Sequence, residues 1–166
     1  MKMTPELEKA FNHQIDVELS SSISYLQMSA HFAKHNLNGM SSWMRAQAEE
    51  ERAHAYRFLD FVLDRGNVAR LGAIEAPRTE FESAEDVFAT ALEQEREVTL
   101  AIHELYRLAT DHSDLASFPF LQSFIEEQNE EEAMVENTLE RVKLAGGNAG
   151  AILILDSELG SRSAKV

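Results

Sequence analysis

The chain has 166 residues, is 44% hydrophobic and lacks cysteine, which suits one domain with a sizeable core and excludes disulfides, thiolate metal sites and cysteine nucleophiles. Against 15 Lys and Arg stand 29 Asp and Glu, a formal net charge of −14, which argues against a nucleic-acid partner and for solubility or attraction of cations. The N-terminal residues lack the apolar core of a signal peptide, and the apolar run from Ala151 to Leu155 is far below bilayer length, so a cytoplasmic protein with no membrane partner is expected.

Four long helices and one short one follow in chain order. Thr4 and Pro5 form a cap and N1 pair that opens the first helix, which runs to about His35 before a break at Asn36 to Gly39. The second runs from about Met40 to Arg65 and stops at Gly66. From Gly66 to Ser83 there is no helical stripe, and Pro77 interrupts, so this is a long connection. Ser83 caps the third helix, with Asp86 three residues on, and that helix reaches about His112. The fourth spans about Ser117 to Ala145, ended by Gly146 and Gly147, and a short fifth covers about 148–159. Short links make two antiparallel hairpins, and the long link can cross the bundle's length to join them. The expected fold is all-α, a four-helix bundle over about 5–145 in up, down, down, up order, within one domain of 1–166.

Each long helix carries an apolar stripe at 3-to-4 spacing, and an acid interrupts each stripe near its middle. The first reads Phe11, Ile15, Glu18, Ser22, Tyr25, Ser29, Phe32; the second reads Met44, Gln47, Glu51, Ala55, Phe58, Val62, with His54 one turn past Glu51. The third reads Phe88, Leu92, Glu95, Thr99, Ile102, Tyr106, and the fourth reads Leu121, Phe124, Gln128, Glu131, Val135, Leu139. Glu95 and Glu131 each lie 18 residues from Ser113, level at roughly 27 Å from that turn; Glu18 and Glu51 lie 19 and 14 residues from Leu37, a mismatch of about one turn that side chains can span. All four carboxylates and His54 can therefore meet inside the bundle.

A single inward Glu is more simply read as a surface residue on a misplaced stripe, and a lone Glu-x-x-His as an exposed pair. Four coordinated interruptions reverse that reading. Buried ions each forfeit several kcal/mol of hydration, against a total stability of about 5–15 kcal/mol, so protons or cations must compensate. Two divalent ions would cancel the charges of Glu18, Glu51, Glu95 and Glu131, with His54 as the nitrogen ligand. Tyr25 and Tyr106 read first as core aromatics, and Trp43 as packing. His13, His31, His35, His103 and His112 have no matching acid on another helix and read as surface or capping groups.

A second acidic cluster places six glutamates between Glu126 and Glu136, with no Lys or Arg from Leu108 to Glu140. Glu127, Glu130 and Glu131 share one edge at i+3 and i+4 spacing, where like charges repel, and with Glu50 opposite they could hold a third cation. A solvated acidic face is the plainer alternative.

From Glu18 through "EEERAH", "LEQERE" and "IEEQNEEE" to "GGNAGAILILDSELGSR", the chain resembles the bacterial non-haem ferritins over essentially its whole length. Bundles of that family carry four helices with one long crossover. The resemblance implies Glu18, Glu51 and His54 on a first iron with Gln128 beside it, and Glu51 bridging to a second iron held by Glu95 and Glu131. It matches Glu50, Glu127, Glu130 and Glu131 to a third iron and Tyr25 to a tyrosine adjoining the dinuclear centre. It further implies a homo-oligomeric shell of 24 subunits in which Fe²⁺ is oxidised by O₂ or H₂O₂ and stored as ferric mineral. Only one Glu-x-x-His is present, and Arg52 stands where bacterioferritins carry their haem-ligating methionine, so haem is not expected. Rubrerythrins are excluded by the absence of cysteine, and nothing like the basic tail of DNA-protecting mini-ferritins is present. Hard oxygen ligands with one imidazole suit Fe²⁺ and stabilise Fe³⁺ more, while Zn²⁺ and Mn²⁺ would also bind. A binding-only bundle and a di-iron oxygenase subunit remain as alternatives, separable by iron uptake per subunit.

Overall fold

A computed structural model describes residues 2–161, so Met1 and 162–166 of the expected 1–166 unit lie outside it. The elements are α1 (Pro5–Lys34), α2 (Asn38–Asp64), α3 (Ala84–Asp111), a 3₁₀ turn (Leu115–Ser117), α4 (Phe118–Ala145) and α5 (Ala149–Gly160). The caps explain most boundaries. Thr4 Oγ1 accepts from Leu7 N, Ser83 Oγ from Asp86 N and Asn148 Oδ1 from Ala151 N, each satisfying a first-turn donor that the helix itself leaves unpaired. Gly146 adopts φ +55° and ends α4 in the left-handed region, where a side chain would be strained.

One boundary differs from expectation. The second helix starts at Asn38 rather than Met40, and the turn is Asn36 (φ 61°) with Leu37. Gly39 therefore lies inside α2, and its reason is contact: a Cβ there would fall 1.7 Å from the Asp156 carbonyl oxygen of α5. Leu37 offers α2 no side-chain cap, and Asp156 supplies it from α5, its Oδ1 accepting from Met40 N at 2.7 Å. Only glycine permits this crossing.

The crossover runs along α1 in the same direction as α1. Asn67 bonds Met3, Val68 bonds Glu8 and Asn12, Arg70 bonds Glu8 and Asn12, Gly72 N donates to Asp16, and Phe81 meets the His31 ring at 5.2 Å. The chain thus leaves α2 beside the start of α1 and enters α3 beside its end. This is the up, down, down, up order. At the far end His112, the C-cap of α3, reaches Thr4 (3.4 Å) and Glu6 (3.1 Å).

Every residue of the α1, α2 and α4 stripes is buried, as are Phe88, Leu92, Glu95 and Ile102 on α3. Thr99 and Tyr106 are only half-buried; Val98 and Leu105 take their places because the seam drifts around a long helix. Two apolar cores result. One gathers Phe32, Trp43, Phe88 and Val135, the other Phe11, Phe58, Val62 and Phe124, and the inward acids lie between them. Burying a side chain such as Phe58 contributes about 1.5–3 kcal/mol, so the acids are held in place by packing on both sides.

A half-buried ion pair ties the base of the bundle. Arg65, the residue after α2, donates Nη1 to Asp114 Oδ2 (3.0 Å) and Nη2 to Oδ1 (2.7 Å), with Ser117 Oγ at 3.2 Å. Burial would raise the Asp114 carboxyl, but Arg65 and Ser117 outweigh it and hold it below the usual range. Arg65→Leu should therefore cost about 1–3 kcal/mol at neutral pH by removing the charged donors of that carboxylate and leaving it Ser117 alone, read as a lower denaturant midpoint. A depressed carboxyl stabilises above its unfolded value, so the penalty should shrink as pH falls below about 3.9 and Asp114 is protonated. An unchanged midpoint at neutral pH would remove the pair from the fold's energetics.

Candidate metal centre

The i, i+3 spacing on α2 puts Glu51 and His54 on one inward face, and the antiparallel and parallel neighbours bring Glu18, Glu95 and Glu131 to it. Ligand atoms converge in two groups, Glu18 with Glu51 and His54, and Glu51 with Glu95 and Glu131, each set lying within 4.8 Å of one another. Glu51 belongs to both. Glu18, Glu51 and Glu95 are fully buried and Glu131 and His54 are 5% exposed, so the one-turn height mismatch between Glu18 and Glu51 is spanned.

Hydrogen bonds orient part of this cluster and leave part of it bare. Gln14 Nε2 donates to Glu18 Oε1 at 2.9 Å, the Tyr25 hydroxyl donates to Glu95 Oε1, and Gln128 Nε2 donates to Glu95 Oε2 at 2.7 Å. Glu18 Oε2, both oxygens of Glu51 and Glu131 Oε2 are buried with no hydrogen-bond partner. Such atoms are costly in a fold unless a cation takes them. They converge on the same interior, and they are oxygens with one imidazole beside them, a donor set suited to divalent iron.

Electrostatics agree with that strain. Burial, then Glu95, pushes the Glu51 carboxyl well up; burial likewise raises Glu95, and it raises Glu131 to about 8 against the opposing pull of His54. Burial alone would lower His54, but Glu127 and Glu51 override it and push the ring up to about 11. Binding a metal through His54 must therefore displace a proton from the ring. Burial, Glu95 and Glu51 raise the Tyr25 phenol, which stays protonated as a donor.

Gln128 donates to Glu95, a residue of the second group, because its turn of α4 faces α3. The stretch of α4 that carries Glu127 and Glu130 holds no Lys or Arg, and a cation reaches Glu127 from α2 instead. Arg57, one turn past His54 on α2, donates Nη1 to Glu127 Oε2 at 2.5 Å and Nη2 to Ser123 Oγ at 2.9 Å, with its guanidinium 4.0 Å from the Phe124 ring centroid. His54 and Arg57 together pull the Glu127 carboxyl down to about 2. Among the described residues, Glu50, Glu127 and Glu130 do not join a third convergent group. Sequence reasoning missed Gln14 and Arg57. Their signal was spacing: Gln14 is one turn before Glu18, and Arg57 is three residues after His54.

Comparison with known proteins fits this geometry. Residues 8–145 match the ferritin-like domain family. The chain is 34% identical to the bacterial non-heme ferritin of Escherichia coli over 157 residues, covering 95% of each, and 36% identical to that of Bacteroides fragilis over 160 residues, covering 96% of this chain and 99% of the relative. It superposes on a closed form of Archaeoglobus fulgidus ferritin engineered by site-directed mutagenesis with a TM-score of 0.96 and 40% identity, over 98% of this chain and 99% of that one. Five helices with one long crossover, a buried carboxylate and histidine cluster where they meet, and these full-length likenesses lead to one conclusion: the chain belongs to the ferritin family.

Proposed function

We propose that this protein stores iron by oxidising Fe²⁺ at the paired Glu18, Glu51, His54 and Glu51, Glu95, Glu131 groups and depositing ferric mineral inside a shell of its own copies. The observation that carries the reading is the shared, fully buried Glu51, whose two oxygens lack hydrogen-bond partners and which belongs to two ligand sets. Two Fe²⁺ bound there would give up two electrons, which with two protons reduce O₂ to H₂O₂, or H₂O₂ to water. Gln14 and Gln128 would hold Glu18 and Glu95 in orientation, and the protonated Tyr25 hydroxyl would keep donating to Glu95 beside the oxidised pair. A further ion near Glu50, Glu127, Glu130 and Glu131 belongs to the proposal, as do 24 copies and a cytoplasmic setting. Among the described residues no helix is long and apolar enough to cross a membrane.

Anaerobic Fe²⁺ titration followed by O₂ tests the reading. Many irons per subunit in a brown soluble product are expected. About two irons without mineral would favour a di-iron oxidase or oxygenase, and none would leave a binding-only bundle.

Assembly is testable separately. Leu155 and Leu159 of α5 turn into the bundle's own core and Ile152 packs beside them, whereas Leu153 and Ile154 are 58% and 65% exposed and Leu144 is 86% exposed. The apolar face available to another copy is therefore narrower than the four-residue run from Ile152 to Leu155 suggests. Leu153→Asp with Ile154→Asp should leave the helical content intact and reduce the assembly to smaller species in sedimentation velocity. A large oligomer of wild-type size would remove α5 from the interface.

A further inference from the structure

Glu127 and Arg57 form a contact that the proposed chemistry does not use. The His54 ring lies between two carboxylates: Nδ1 is 3.4 Å from Glu51 Oε2, within the first ligand group, and Nε2 is 3.4 Å from Glu127 Oε2, with Glu131 Oε1 at 3.8 Å. Nδ1 therefore faces the Glu18 and Glu51 group, and Nε2 faces Glu127, with Glu131 of the second group farther off. The Glu127 oxygen that meets Nε2 is the same one that Arg57 holds at 2.5 Å, and Arg57 is itself fixed by Ser123 and the Phe124 face. The edge of Phe124 also packs on the His54 ring, centroids 5.3 Å apart, so the imidazole cannot turn freely.

We infer that Glu127, anchored by Arg57, which Ser123 holds in turn, is a positioning residue for His54: it accepts a hydrogen bond from Nε2–H and so presents the Nδ1 lone pair to the first metal ion. A neutral imidazole has one donor and one acceptor nitrogen, and whichever nitrogen is bonded outward decides which is left for the metal. A carboxylate behind a ligating histidine also raises its basicity, and loss of such a partner commonly weakens metal binding by about 10–100-fold. The inference rests on the reading of Glu18, Glu51 and His54 as a metal group. It departs from the expectation that Glu127 serves only as a ligand of a third ion. Arg57 answers why a carboxylate that is 40% exposed stays against the ring: it is tied from the outside.

Binding of redox-inert Zn²⁺ by calorimetry, and the visible spectrum of bound Co²⁺, test this on the whole assembled protein. Glu127→Leu removes the acceptor. It should weaken the first ion by about 10–100-fold and alter the Co²⁺ spectrum, with folding checked by thermal melting. Glu127→Gln keeps a carbonyl oxygen for Nε2 and should restore most of the affinity; Arg57→Met keeps Glu127 but frees it, and should fall between the two. If Glu127→Leu binds its first ion as wild type does and loses only a later one, Glu127 is a ligand of a further site and the positioning role is wrong. Equal weakening by Gln and Leu would also overturn it, since the acceptor would not be what matters. His54→Ala separates the levels: should it leave the first ion unaffected, the metal group itself is misassigned and the positioning role falls with it.

Discussion

Glu51→Ala is expected to stop the fast oxidation of the first two Fe²⁺ per subunit. Glu51 is the one residue common to both convergent groups, so its loss removes a ligand from two ions, leaving Glu18 with His54 on one side and Glu95 with Glu131 on the other. Stopped-flow absorbance after mixing Fe²⁺-loaded protein with O₂ should show a first-turnover rate lower by on the order of 100-fold or more, equal to about 2.7 kcal/mol of barrier. Glu95→Ala is the comparison. It touches one group only, and it also strands Tyr25 and Gln128, both of which donate to that carboxylate. It should therefore retain tight binding of one ion while losing paired oxidation. A Glu51→Ala protein that oxidises its first two irons at the wild-type rate would refute the shared-ligand assignment.

How much of this was legible in the sequence depends on which physical signal each feature carries. Inward acids on α1, α2, α3 and α4 were legible because a 3.6-residue period relates each of Glu18, Glu51, Glu95 and Glu131 to apolar neighbours on its own helix. Contacts between helices have no such period. Gln128 chooses Glu95, and Glu127 chooses Arg57, by rotamer and by the facing of two helices far apart in the chain. The run from Ile152 to Leu155 was legible as apolar but not as oriented, since four consecutive apolar residues mark no face; packing on α2 and the bundle end selects Leu155 for the core and leaves Leu153 and Ile154 outside. Gly39 looked like a helix breaker, and only the nearness of Asp156 reveals it as a point of helix contact.

Metal-free protein is expected to lose stability steadily as pH rises, and metal is expected to abolish that loss. Burial raises Glu51 and Glu95, and it brings Glu131 to about 8, while the surrounding carboxylates bring His54 to about 11. A group whose folded value is raised binds its proton more tightly in the native state. Its stabilising contribution is complete below the unfolded value, about 4.3 for Glu and 6.5 for His, and disappears as pH climbs through the folded one. All four shifts have the same sign, so they add between roughly pH 5 and pH 9. Glu127, pulled down to about 2, works in the opposite direction only under acid, where its pairing with His54 and Arg57 is lost as it takes up a proton. The melting temperature of the metal-free protein should thus fall from about pH 5.5 to about pH 8.5, whereas with saturating Zn²⁺ it should stay level or rise, because the ion replaces the proton as the counter-charge. Glu51→Leu should remove one of the raised carboxyls and with it part of the penalty. An apolar side chain of similar volume removes two buried oxygens that have no hydrogen-bond partner, so the mutant should be at least as stable as wild type without metal, flatter with pH, and inactive. A wild-type melting temperature that is flat across this range, together with a Glu51→Leu protein that melts lower at every pH, would mean that the carboxylates are compensated without metal, and the site would then have no energetic reason to bind one.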